Sequence, residues 1–144
     1  MRQHNMRRVA KSFTIDNLAP MHPVQAYFRI LTWCCVLLLA VLSLLPAQDL
    51  ARTGMPGEFE HVLAYAGATS IAVAGYGRRG ALRTIGLFWI YAGVLEYLQH
   101  FSPGRHPSFV DFAASAFGAL LGGLVAALLL PRLLERRIFG RRLI

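Results

Sequence analysis

The chain has 144 residues, room for one compact unit and too few for two ordinary soluble domains. It is 56% hydrophobic and only 15% charged, against roughly 45–50% and about 25% in a typical soluble protein, and its mean hydropathy is +0.47. Lysine plus arginine still outnumber aspartate plus glutamate by 15 to 7. This apolar content excludes disorder over most of the chain. Its two cysteines, the neighbours Cys34 and Cys35, exclude a disulfide scaffold and leave the redox compartment open; they read as small apolar fillers of a helix.

The first 25 residues are basic, contain Pro20 and Pro23, and show no firm hydrophobic period. Met6 and Met21 are alternative starts, so no function is placed there. Four apolar stretches follow, at Ala26–Leu45, Phe59–Tyr76, Thr84–His100 and Phe109–Leu130. Each is about 20 residues long, the length that crosses a ~30 Å hydrocarbon core at 1.5 Å per residue. Strands of that length would be exceptional, and the alternation of a half-buried strand is missing. Long helices of a soluble bundle should keep a charged outer face, whereas Val36–Leu45 and Leu120–Leu130 are apolar all round. Pro46, then Gly54, Pro56 and Gly57, then Gly77 and Gly80, then Pro103, Gly104 and Pro107 punctuate the connections, and Pro131 is expected to close the last helix. The first stretch is longer than the apolar core of a signal peptide, so a retained anchor is expected.

The arginines orient these helices. Thirteen of the fifteen basic residues fall in the N-terminal segment through Arg29, in the Arg78–Arg83 connection, or in the tail from Arg132; only Arg52 and Arg105 belong to the other two connections. The positive-inside rule then places both termini in the cytoplasm. The expected fold is an all-α membrane protein: a four-transmembrane-helix bundle over 26–131, between a basic cytoplasmic segment (1–25) and a basic cytoplasmic tail (132–144). Topology thus accounts for the basic residues, and with no basic face or recognised nucleic-acid fold, no nucleic-acid partner is expected.

Ionisable residues in membrane helices are costly and usually face protein or water. Here they collect at one depth. Glu60 and His61 open the second helix, Glu96, Gln99 and His100 end the third, and Ser108 and Asp111 open the fourth, with Arg105 between. All lie at the end expected to face outward. Glu96, Gln99 and His100 share a helix face by their spacing of three and four, as do His61 with Tyr65 and Asp111 with Ser115. Asp111 sits in a first turn, where the helix dipole favours an anion. The bland alternative is that these groups only fasten helices together; it is preferred for Tyr65 and is as good for Asp111 alone. For the set, a pocket is preferred, with Glu96, Arg105 and Asp111 forming one hydrogen-bonded cluster lined by Gln99 and His61. His106 and Gln48 read as solvated loop residues, and His4 and His22 carry no signal. Ala114, Gly118, Gly122 and Ala126 recur every four residues on the fourth helix, and Ala64, Ala68 and Ala72 on the second. Small residues let helix backbones approach closely in lipid, and packing inside the bundle is preferred to homodimerisation.

At these residues the sequence resembles the VanZ-like family of small membrane proteins. The matching elements are LSLLP at Leu42–Pro46, EHVLAY at Glu60–Tyr65, LEYLQHFSPGR at Leu95–Arg105, and SFVDFAASAFGALLG at Ser108–Gly122. They cover most of the apolar region in the family's order. The resemblance carries over His61, Glu96, Gln99, Arg105 and Asp111 as binding positions. It departs where many members have an Asp-Lys pair before the histidine and this chain has Gly57 and Glu58, and where many have an asparagine four residues after the aspartate and this chain has Ser115. The family's name comes from a member associated with low-level resistance to teicoplanin. The resemblance therefore implies a multi-pass protein of the bacterial cytoplasmic (inner) membrane serving the cell envelope, and it names no reaction.

Three classes of function are expected, in this order. The first is a binding or accessory protein for a polar envelope component, a lipid head group or lipid-linked glycan precursor, gripped by Arg105, Gln99 and His61. The second is a membrane enzyme with His61 or Glu96 as general base. The third is a structural or assembly partner. No zinc pair, Walker loop, nucleophile elbow or cysteine near a histidine is present, and no ligand pair has diagnostic metal spacing, so no cofactor and no metal are expected. Membrane lipids are the expected partners, and the sequence leaves the oligomeric state open.

Overall fold

The computed structural model describes residues 23–49 and 54–140, with side chains through residue 129. The segment 1–22, Arg52, Arg141 and Arg142 lie outside the described residues, as do the side chains of Arg132, Arg136 and Arg137. Four long helices make up the described residues: α1 (Pro23–Leu44), α2 (Gly57–Tyr76), α3 (Ala81–Leu98) and α4 (Phe109–Gly140). Short 3₁₀ turns at Ala47–Asp49, Arg78–Gly80 and Gln99–Phe101 join or extend them, and there is no strand among the described residues.

The helix boundaries follow from local chemistry. Pro23 opens α1, where a missing N–H costs nothing and φ is already helical. Glu58 and Glu60 occupy the first turn of α2, at the positive end of its dipole. Ser108 caps α4: its Oγ accepts the Val110 N–H at 3.2 Å and its carbonyl accepts the Phe112 N–H at 3.1 Å. The expectation that Pro131 closes α4 is corrected, since the helix continues to Gly140. One proline removes one backbone donor, and the leucine-, arginine- and glutamate-rich sequence beyond it has good helix propensity.

The helices alternate in direction. Arg29 near the start of α1 donates from Nε to the Gly75 carbonyl near the end of α2, at 3.0 Å. Tyr91 of α3 donates to the Val36 carbonyl of α1 at 2.5 Å, and Trp89 of α3 donates to the Ala116 carbonyl of α4 at 2.8 Å. Helix α2 lies at the centre, packed most extensively on α4 and then on α1, whereas α1 and α3 touch sparsely. Leu39, Tyr65, Ala68, Ala72, Phe88, Leu95 and Ala119 belong to one contiguous core, in which Tyr65 meets Phe88 edge-to-face at 6.4 Å.

Large apolar side chains cover the outside instead of hiding within it. Trp33, Leu37, Ile90, Phe109 and Leu128 are all exposed, an apolar surface that a lipid environment accommodates and water does not. Three of the four helical segments, Pro23–Leu44, Arg78–Phe101 and Phe109–Leu129, are long and apolar enough to cross a membrane. Helix α2 is outside that set. Glu58, Glu60 and His61 open it, and alanine, glycine, serine and threonine replace long aliphatic side chains. Its buried residues, among them Ala68, Thr69, Ala72 and Val73, face protein, so small side chains suit it better than bulky apolar ones.

Candidate functional site

The polar residues expected to act together do meet at one end of the bundle, but through connections of their own. The Ser102–Pro103–Gly104–Arg105 segment folds as a turn in which the Arg105 N–H donates to the Ser102 carbonyl at 3.2 Å. Gly104 has φ +72°, so proline and a left-handed glycine stand where a type II turn requires them. This turn seats on the end of α1. Ser102 Oγ donates to the Leu44 carbonyl at 3.0 Å, Arg105 Nε to the Leu45 carbonyl at 3.2 Å, and Arg105 Nη2 to the Leu42 carbonyl at 2.6 Å.

The reason lies in Pro46. The last carbonyls of a helix lack intrahelical donors, and the Leu42 carbonyl would ordinarily take the N–H of the fourth residue on. That residue is proline and has none. The guanidinium supplies the missing donor and sets its charge against the negative end of the α1 dipole.

Glu96 makes the mirror arrangement at the start of α4. Its Oε1 accepts the Ser108 backbone N–H at 2.5 Å, placing an anion at the positive end of that helix. The expected hydrogen-bonded cluster of Glu96, Arg105 and Asp111 is therefore corrected. Arg105 turns to α1, Glu96 turns to the α4 cap, and no bond joins the three. Backbone groups at two helix ends compete for these side chains and win, because buried backbone donors and acceptors must be satisfied.

His61 stands where α2 meets α4: its Nδ1 and the Ser115 Oγ are 3.2 Å apart. Tyr65, one turn further along α2, is buried at 2% exposure. Gln99 is buried at 4% exposure, and its side-chain amide makes no hydrogen bond to any described residue. Asp111 is half-buried and its carboxylate likewise bonds no described residue. His100 Nδ1 lies 2.9 Å from the Tyr97 carbonyl, while His106 and Gln48 are exposed.

What the sequence reading missed is the target of Arg105, and the signal was there: a helix ending in LSLLP leaves a carbonyl that its own chain cannot serve. It also placed a pocket beneath the outer polar residues. A cavity of about 570 Å³ lies in the other half of the bundle, around Thr32, Arg83, Leu87 and Tyr91. Among the described residues no group of three His, Cys, Asp or Glu side chains is placed to hold a metal.

Gly118 and Gly122 of the small-residue repeat face α2, with the Val62 and Ala66 carbonyl oxygens standing where a Cβ would go. Ser70 Oγ donates to the Gly122 carbonyl at 2.9 Å across the same seam. Ala126 is buried and Ala114 half-buried on α4. Comparison with protein-family models, with curated proteins and with solved structures finds no match to this chain.

Proposed function

We propose that the chain is a binding or accessory protein of the bacterial inner membrane, resembling VanZ-like proteins. In this reading all four helices span the bilayer with both termini in the cytoplasm. The polar end then faces outward and engages the polar part of an envelope component, a lipid head group or lipid-linked glycan precursor, with glycopeptide resistance as the physiological setting implied by the resemblance. One observation carries this reading. After the helix ends are capped, Gln99, a residue only 4% exposed, and the half-buried Asp111 keep side chains that bond no described residue. Groups left in that state are the ones a polar ligand would satisfy. Gln99, Asp111 and the remaining His61 nitrogen are the contact groups, while Arg105 and Glu96 hold the frame around them.

Profiling of lipids and glycans that co-purify with the protein tests this, with wild type set against Gln99→Leu and Asp111→Asn. A head group retained by wild type and lost from both variants, at normal protein level, is the expected result. A second reading is favoured by the capping bonds of Arg105 and Glu96: the whole set is a fastening that holds the helix ends. Identical co-purifying material in all three proteins would favour that fastening and end the binding proposal.

A further inference from the structure

The cavity of about 570 Å³ lies at the opposite end from the polar set and in a different kind of surroundings. It is the gap where α1 and α3, which touch only sparsely, diverge across α2. Trp33 and Leu87, one from each wall, are exposed at 61% and 57%, so the gap opens sideways toward lipid. Ala72 of α2 forms its back. Its far end is closed where the Tyr91 hydroxyl bonds the Val36 carbonyl at 2.5 Å and ties α1 to α3.

Two features define what this space accepts. Both threonine hydroxyls of its walls are already used, Thr32 Oγ1 donating to the Phe28 carbonyl at 2.8 Å and Thr84 Oγ1 to the Gly80 carbonyl at 3.1 Å, and the Tyr76 ring stands beside the Arg29 guanidinium. The walls are therefore apolar in effect. At its mouth stands Arg83, exposed and with no bond to a described residue, in the connection that also carries Arg78 and Arg79. Beside the mouth the Arg29 guanidinium lies 5.1 Å from the Tyr76 ring centroid. From Arg83 to Tyr91 the helix rises about 12 Å, close to the hydrocarbon depth of a single leaflet, roughly 15 Å.

An apolar slot one leaflet deep with cations at its open end matches one chemistry. We propose that this cavity holds an acyl chain of an anionic glycerophospholipid from the leaflet at the arginine-rich end, with the lipid phosphate on Arg83. Basic pockets between membrane helices on that side are suited to such head groups, and a volume in the range of a few hundred cubic ångströms suits a small ligand or chain segment. The site is separate from the outer polar set, so its failure leaves the proposal for that set untouched.

Trp33 lines the cavity and reports on it directly. The full chain carrying Trp89→Phe, reconstituted in phosphatidylcholine bilayers, leaves Trp33 as the sole tryptophan. A small fraction of phosphatidylglycerol with brominated acyl chains, which quench on contact, is compared with the same fraction of brominated phosphatidylcholine. The expected result is an apparent affinity about fivefold higher for the anionic lipid, the effect of one well-placed arginine. Arg83→Gln should bring the ratio to about one and Arg83→Lys should keep it. Ala72→Phe fills the slot with Arg83 intact and should also remove the preference. Equal quenching by the two lipids in wild type would overturn the proposal. So would a preference that survives Ala72→Phe, which would mean lipid gathered on surface arginines rather than in the cavity.

Discussion

Arg105 and Pro46 are two halves of one arrangement. Proline ends α1 by withholding an N–H, and arginine, 60 and 63 residues away from the two carbonyls it serves, returns the donor. Hydrogen bonds from a charged donor contribute about 1.5–3 kcal/mol when a half-buried acceptor depends on them. Arg105→Ala should therefore destabilise the protein by roughly that amount, read as a lowered unfolding midpoint in detergent. Arg105→Lys should recover only part, because a single ammonium does not reproduce a fork that spans two carbonyls. Adding Pro46→Ala to Arg105→Ala restores a backbone donor for Leu42 and should regain some stability; a strictly additive loss would refute this pairing. Thr69 is the contrary case. Its Oγ1 is buried without a hydrogen-bond partner, and its methyl group lies beside Gly123, so shape rather than polarity holds it in place.

Among the elements, the α2–α4 seam has the least tolerance. Gly118 and Gly122 lie against backbone of Val62 and Ala66, rather than against flexible side chains that could move aside. Even alanine there must push the helices apart, and overpacking of this kind costs about 1–3 kcal/mol or more. Gly118→Ala and Gly122→Ala should each lower the amount of folded protein in the membrane. Gly67 and Gly86 are helical glycines with open space around them, and alanine at either should be neutral or stabilising by up to about 1 kcal/mol. Measured by detergent-resistant yield, equal effects at all four positions would show that helix propensity rather than close approach governs this seam. Glu96 works at the same scale: it reaches from α3 to the first donor of α4, so the 3₁₀ turn and loop between them are held at both ends.

For the molecule as a whole, the decisive feature is the separation of kinds of polarity. Backbone-directed polar side chains gather at the end holding Leu45, Glu96 and Ser108, and arginines gather at the end holding Arg29, Arg78 and Arg83. With three segments suited to crossing a membrane and α2 packed against α4 and α1, the proposed topology has Gly80 inside and Gly104 outside. Reporter fusions after those two residues should report opposite sides, and cytoplasmic activity from the Gly104 fusion would contradict it. That result would also place Gln99 and Asp111 on the wrong side for an envelope ligand.

The sequence alone was sufficient for helix class, for three helical elements at nearly their observed bounds and the start of the fourth, and for the gathering of His61, Glu96, Arg105 and Asp111 at one end. These depend on local quantities: apolar run length, turn residues, and spacing along a helix. It also showed small residues at Gly118 and Gly122, though which backbone they meet required the packing of α4 on α2. The partners of the polar residues were a tertiary decision. Glu96 and Arg105 carry opposite charges and invite pairing with each other, yet each answers an unsatisfied backbone group at a different helix end. Which donors and acceptors are left open depends on how α1 and α4 terminate in space. The cavity between α1 and α3 was illegible for the same reason: it exists only because these helices, far apart in sequence, touch sparsely across α2 and leave a space that no single segment encodes.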